Sequence, residues 1–273
     1  MKSDMNKNIT KMERQPKVIS VSLHDWLAKT SLPKPYYKDE NTILFCADCT
    51  RILPLIPANS VDLVLTDPPY NVGINYGEET NDNKSKEEFI EWARKWFIEC
   101  RRISGTVLIC GQGRLPDYAK IEDWKWLLAW WKPASMGRSP VGFCNFEPVA
   151  MWGKGTSKSV DVILAPIIPD VSIDGHPCPK PLGWGEGFIS IFPDAEIILD
   201  PFAGSGTTLV AAKRLNRKAI GIEISKEYCK IAVNRLSQQE LFNNPDPSGS
   251  PTIACKCIKN ITNDKTKKLL DFF

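Results

Sequence analysis

Two apolar runs in this 273-residue chain end abruptly in loops rich in chemistry. Val61, Leu63, Val64 and Leu65 lead into Thr66-Asp67-Pro68-Pro69-Tyr70, and Ile197, Ile198 and Leu199 lead into Asp200-Pro201-Phe202-Ala203-Gly204-Ser205-Gly206-Thr207. Short apolar runs bounded by turn residues fit strands buried inside a sheet. Loops at the ends of such strands are where open α/β sheets keep their ligands. The chain is thereby constrained to a sheet that brings two loop clusters, more than 130 positions apart in the sequence, to its surface.

The surrounding pattern agrees. The spacing predicts strands over 42–46, 61–66 and 106–110, with an amphipathic helix over about 85–102 that Ser85 caps. A short helix over about 116–124 and apolar runs at 126–131 and 148–152 follow. Next come a helix from Leu182 toward Ile191, a strand over 196–199, a helix over 207–215, a strand over 218–224, and a last helix capped by Ser225 and reaching about Leu236. Strands alternating with helices imply a Rossmann-like α/β fold: a mostly parallel, doubly wound sheet covered on both faces. Residues 1–40 read as a polar leader with one short amphipathic piece (Val21, Leu23, Trp26, Leu27), 41–242 as the domain, and 243–273 as a flexible tail rich in polar residues. Within the domain, 132–175 reads as a small inserted region.

Composition excludes several classes. At 42% hydrophobic residues the chain fills one core. No apolar run approaches the roughly 20 residues of a membrane span, and Met1–Gln15 lacks the apolar stretch of an export signal, so a cytoplasmic location is expected. Nine cysteines in a chain of this size read as reduced thiols. With two histidines in the sequence, Cys46-x-x-Cys49 and Cys255-x-Cys257 make a poor metal set, so no metal is expected. The formal charge of +3 does not by itself announce a nucleic-acid partner. Between Lys132 and Ser159, however, Lys132, Arg138, Lys154 and Lys158 face one acid, Glu147, which makes this stretch the candidate for phosphate contacts; an ordinary solvated loop is the alternative.

The two loops suit complementary halves of one reaction. A nucleobase amine is a weak nucleophile because its lone pair is delocalised into the ring. Asp67 and the carbonyl of Pro68, aimed by a ring-constrained backbone, can accept its two hydrogens and localise that pair. Tyr70 can stack on the base, and duplex DNA must release the base by flipping. In the second loop Gly204 and Gly206 admit a ligand close to the backbone, and Ser205 and Thr207 lead into a helix whose positive end favours a carboxylate. Glu223, about 20 residues beyond the glycines, sits where an acid chelates ribose hydroxyls. The turn is F-x-G-x-G rather than G-x-G-x-x-G, which disfavours a dehydrogenase.

Taken together, Asp67-Pro68-Pro69-Tyr70, the turn at Phe202 and His176-Pro177-x-x-Lys180-Pro181 resemble S-adenosylmethionine-dependent DNA amino-methyltransferases in the β-type motif order, in which the catalytic half comes first. The resemblance runs from about Asn41 to Leu236. It implies that Asp67, Pro68, Pro69 and Tyr70 hold the target amine, that Asp200, Phe202, Gly204, Ser205, Gly206 and Thr207 line the methionine end of the cofactor, that Glu223 takes its ribose and Asp48 its adenine amine, and that Lys180 helps shape the pocket. Family members with Asp at the first motif position mostly methylate adenine N6, and Ser-Pro-Pro forms mostly cytosine N4, so adenine in double-stranded DNA is the expected substrate. Cytosine N4 is the alternative, and a catalytically idle DNA-binding or clamp-associated module is the alternative of another class. The recognition insert is shorter than in many members, and a homodimer is among the arrangements the resemblance allows. Thr266 to Phe273 resembles a sliding-clamp-binding box, with Leu269, Phe272 and Phe273 as its apolar contacts; a tail packing on its own domain is the other reading.

Overall fold

The structure, a computed structural model, describes residues 22–243 except 29, 74–81, 112, 134, 136, 156–158 and 168–179. His176, Pro177 and Lys158, and the tail with Leu269, Phe272 and Phe273, lie outside the described residues.

The chain opens with helix α1 (Leu23–Ala28), strands β1 (Tyr37–Lys38) and β2 (Thr42–Cys46), and helix α2 (Cys49–Ile52). Strand β3 (Leu63–Thr66), helix α3 (Lys86–Ile103), strand β4 (Thr106–Cys110), helix α4 (Leu115–Ala119) and strand β5 (Trp126–Trp131) follow. A small two-stranded arm, β6 (Arg138–Ser139) and β7 (Gly142–Phe143), precedes β8 (Phe146–Gly153) and β9 (Val162–Leu164). Helix α5 (Leu182–Ser190), strand β10 (Ile197–Asp200), helix α6 (Thr207–Arg214), strand β11 (Lys218–Glu223) and helix α7 (Lys226–Asn243) complete it.

Nine strands form one sheet in the order β1-β2-β11-β10-β3-β4-β8-β5-β9. From β2 to β4 the pairing is parallel, whereas β8 runs antiparallel to both β4 and β5, and β1 antiparallel to β2. The sheet is thus mostly parallel but mixed. Alternation along each strand sorts the core into two layers. Leu63, Leu65, Leu108, Leu128, Trp130 and Ile198 meet α5, α6 and α7, while Val64, Val107, Ile109, Leu199 and Ile220 meet α2, α3 and α4.

Helix α3 shows how local sequence sets an element. Ser85 accepts a hydrogen bond from the Glu88 amide and the Glu88 carboxylate accepts one from the Ser85 amide, a complete capping box. Phe89, Ala93, Trp96, Phe97 and Cys100 then recur at helical spacing and are buried.

The expected leader needs correction. Leu23 is fully buried and Trp26 nearly so in the layer that holds α3, and β1 extends the sheet beside β2, so residues 22–40 belong to the domain. The expected insert needs it too, because β8 and β9 are sheet strands and the described arm beyond them is confined to 132–145.

Candidate active site

Strands β3 and β10 are parallel neighbours, with Leu199 beside Val64. The chain leaves β3 toward β4 on one side, and leaves β10 toward β11 on the other. This divergence is a topological switch point, and it opens a crevice at the carboxyl ends of the strands. Both loops rise there. They are tied at the base, where Thr66 Oγ1 donates to Asp200 Oδ1 at 2.7 Å across 134 positions. Burial pushes the Asp200 carboxyl up to about 6, although Thr208, Thr66 and the Phe202 amide hydrogen-bond it.

The glycine turn is held from three sides. Gly204 donates to Glu223 Oε2 at 2.8 Å and Ser225 to Glu223 Oε1 at 2.8 Å, so the end of β11 grips the turn. From α7, the buried Arg235 guanidinium donates to the carbonyl of Ser205 at 2.7 Å and to the hydroxyls of Ser205 and Thr207. Phe202 packs edge-on against Trp96 and tilted against Trp92, with ring centroids 5.0 and 5.6 Å apart. Gly206 has φ +82°, and a Cβ there would meet Ala232 Cβ at 2.8 Å, so the residue must be glycine.

The resulting cleft, of about 170 Å³, is lined by Asp48, Asp67, Pro69, Phe202, Gly204, Glu223 and Tyr228 together with Lys84, Phe89 and Trp92. A smaller recess shares Asp67, Phe202 and Gly204 and continues along Asp200, Ser205 and Thr207 to the start of α6. Asp67 therefore borders both. The Asp48 carboxylate caps α2 through the Thr50 amide and still faces the cleft.

Around Asp67 the loop is tightly anchored. Asn71, at φ +55°, bonds Lys84 through both ends of its side-chain amide, and the Asp82 carboxylate accepts from the amides of Asn71 and Val72. Arg114 Nε donates to the Tyr70 carbonyl at 2.5 Å and its terminal nitrogen to that of Asn71 at 2.8 Å. The Tyr70 hydroxyl donates to Asp67 Oδ1, and burial together with the Asp67 charge holds that phenol well above its usual range. Lys180 Nζ lies 2.8 Å from Asp67 Oδ2, 3.4 Å from the Tyr70 hydroxyl and 3.4 Å from Glu147 Oε2. Burial alone would lower its ammonium, yet Asp67, Cys110 and Glu147 carry it well above an ordinary lysine.

The sequence motifs thus converge, with changes of detail. Lys180, expected to help shape the cofactor pocket, lines the recess and in addition points its ammonium at Asp67 and offers its backbone carbonyl to Thr207. Of the expected phosphate contacts, Lys132 is buried and paired with Glu147 at 2.6 Å, and Lys154 is exposed beside Gly105, at the opposite end of the sheet from Asp67. Burial in its pair with Glu147 takes Lys132 out of the expected phosphate contacts, because a cation held inside the protein cannot meet a DNA backbone. Arg138 lies on the arm, in β6. Trp92, Lys84, Arg114 and Arg235 carry no motif of their own in the sequence; the signal for Trp92 was its place, partly buried, beside the apolar stripe of α3. Among the described residues no group of His, Cys, Asp and Glu could hold a metal ion, and no helix is long and apolar enough to cross a membrane.

Comparison with known proteins identifies the fold and its chemistry. The family model described as DNA methylase, of the N6/N4 type, matches residues 61–115 and 123–234, more than half of the chain. The chain belongs to the N6/N4 DNA methylase family. Among its relatives is the type II methyltransferase M2.LlaDCHI of Lactococcus lactis subsp. cremoris, 32% identical over 255 residues that cover 76% of this chain and 93% of the relative. The M1.HpyAVI–SAM complex superposes with a TM-score of 0.54 at 26% identity, covering 71% of this chain and 98% of the other. The PvuII cytosine-N4-specific DNA methyltransferase shares the fold, with a TM-score of 0.61 at 19% identity, over 76% of this chain and 90% of that one. As an N6/N4 DNA methylase, the chain is a DNA amino-methyltransferase that uses S-adenosylmethionine.

Proposed function

We propose that the protein methylates N6 of a flipped adenine at specific sites in double-stranded DNA, as the modification enzyme of a type II system. The observation that supports this reading is Asp67, a carboxylate at the border of the two cavities, in the Asp-Pro-Pro-Tyr form of the motif. The donor set fits the cofactor. The buried Glu223 carboxylate, which ends β11 and accepts from the Gly204 and Ser225 amides, would hold the ribose hydroxyls, Asp48 the adenine amine, and the start of α6 the methionine carboxylate. S-adenosylmethionine, when bound, supplies a methyl group on a sulfonium, ready for direct transfer.

The chain's own residues then do three things. Asp67 accepts a hydrogen bond from the target amine and draws its lone pair out of the ring. Tyr70, whose hydroxyl is held on Asp67, presents its ring beside the incoming base. The clamp of Asn71, Asp82 and Arg114 fixes the loop that aims both, which keeps nucleophile and methyl group in line.

Incubation of the protein with unmethylated DNA and methyl-labelled cofactor, followed by digestion to nucleosides and chromatography, tests the base. Label in N6-methyldeoxyadenosine is expected; label in N4-methyldeoxycytidine overturns the adenine reading.

A further inference from the structure

Four charges of alternating sign lie in a row behind the cleft. Lys132 Nζ is 2.6 Å from Glu147 Oε1, Glu147 Oε2 is 3.4 Å from Lys180 Nζ, and Lys180 Nζ is 2.8 Å from Asp67 Oδ2. The Lys132 and Glu147 side chains are 6% and 11% exposed, and both ammonium groups lie over the buried Trp130 ring, at 5.2 and 5.4 Å. Cys110 Sγ also donates to Glu147 Oε2, at 3.4 Å. Burial works against the Glu147 charge, but Lys180 and Lys132 outweigh it and hold the carboxyl below its usual range.

Such a row is an unpromising way to stabilise a strand pair, because an apolar replacement usually does as well or better. Its placement suggests another use. Glu147 stands opposite Trp130 in the β5–β8 ladder, and the Lys132 amide donates to the Asn145 carbonyl at 2.6 Å. The Lys132–Glu147 pair therefore closes the neck of the arm that carries β6 and β7. At the other end of the row, Lys180 has three ammonium protons and three oxygen partners: Asp67, Glu147 and the Tyr70 hydroxyl. Glu147 draws one proton away from Asp67, leaving that carboxylate more capacity to accept from a target amine.

We infer that Glu147 is a positioning residue: through Lys180 it sets the orientation and free accepting capacity of Asp67, and through Lys132 it ties that setting to the arm between β5 and β8. Glu147 is not among the residues lining the cleft or its recess, so it acts through Lys180 rather than on substrate. The inference rests on the reading of Asp67 as the acceptor of the target amine.

The test uses the full-length protein in single-turnover methyl transfer to unmethylated DNA, with cofactor affinity and thermal midpoint measured alongside. Glu147→Gln is expected to slow transfer about 30- to 100-fold, the scale of loss from a small misplacement, with cofactor Kd within about threefold of wild type. The double variant Lys132→Met/Glu147→Gln leaves Asp67 and Lys180 as a balanced pair. It is expected to recover most of the thermal midpoint lost by Glu147→Gln but not the rate. Recovery of rate together with midpoint, or a Glu147→Gln rate within threefold of wild type, overturns the inference. Should Glu147→Gln fail to fold, the double variant decides alone: a slow enzyme supports the inference and a fast one overturns it. Asp67→Ala run in parallel separates the failures. If it still transfers methyl groups, the reading of Asp67 is wrong and the inference falls with it; if it is dead while Glu147→Gln is fully active, the inference alone falls.

Discussion

At the residue scale, Asp67 and Asp200 are both carboxylates at strand ends, yet they are placed for different work. Asp67 is partly exposed, faces two cavities and is oriented by one donor on each oxygen, Tyr70 and Lys180, with lone pairs left for a target amine, so its removal strikes the chemistry. Asp67→Ala is expected to lower the transfer rate by about 10³-fold, in line with loss of a preorganised polar group, while cofactor Kd from equilibrium titration stays within about threefold. Equal loss of both would place Asp67 in the cofactor half instead. Asp200 is buried, and its carboxyl sits at about 6 rather than the ordinary 3.8. A raised value means the native state holds the proton more tightly, so this stability is complete below about pH 4 and is lost as pH rises through 6. Ionised Asp200 thus costs the fold up to about 3 kcal/mol at pH 7.5. Asp200→Asn keeps an oxygen for Thr66 and the Phe202 amide, and its urea midpoint is expected to exceed wild type at pH 7.5, with the gap narrowing as pH falls through 6 and closing below about pH 4. A gap independent of pH would show that burial does not strain this carboxyl. Both residues were legible in the sequence because each ends an apolar run. Lys180 was legible as a position but not as a partner of Asp67, and Glu147 was visible merely as the lone acid of a basic stretch, since nothing local says that β8 pairs antiparallel beside β4 and carries Glu147 past its end.

Elements were readable in proportion to their burial. Strands β2, β3, β4, β10 and β11 are covered on both faces and announce themselves as short apolar runs, and Ser85 as a cap marked where α3 begins. The edge strands β1 and β9 and the arm strands β6 and β7 have two or three residues each, too few for a period to show. Helix α1 was misjudged for a related reason: with six residues it reads as an appendage, and its value lies in Leu23 and Trp26, which a distant layer of the core buries. Leu23→Ala is therefore expected to cost about 2 to 5 kcal/mol in urea unfolding, as for a core leucine, whereas a residue in a mere leader would cost under about 0.5 kcal/mol.

At the scale of the whole molecule, the site exists because β3 and β10 are neighbours although most of the domain's sequence lies between them. The motif order along the chain is immaterial to this geometry; what matters is that β4 and β11 depart on opposite sides, so that whatever fills the crevice bridges the two halves of the sheet. Cofactor binding should then be felt as a global stabilisation rather than a local one. At about 100 times Kd, S-adenosylmethionine or its demethylated product should add about 2.7 kcal/mol to unfolding, a rise in thermal midpoint of about 5 to 10 °C for a domain of this size. Amide exchange should slow together in the 47–50, 67–72 and 201–207 segments, which line one cleft from three strand ends. Gly206→Ala, whose new Cβ would press on Ala232 at the turn that Arg235 and Glu223 hold, should lower the starting midpoint and also abolish most of the ligand-induced rise. If the variant kept the full rise, or if protection appeared in the 201–207 segment alone, the two loops would not share a ligand, and the crevice at the switch point would not be the place where methyl donor and base meet.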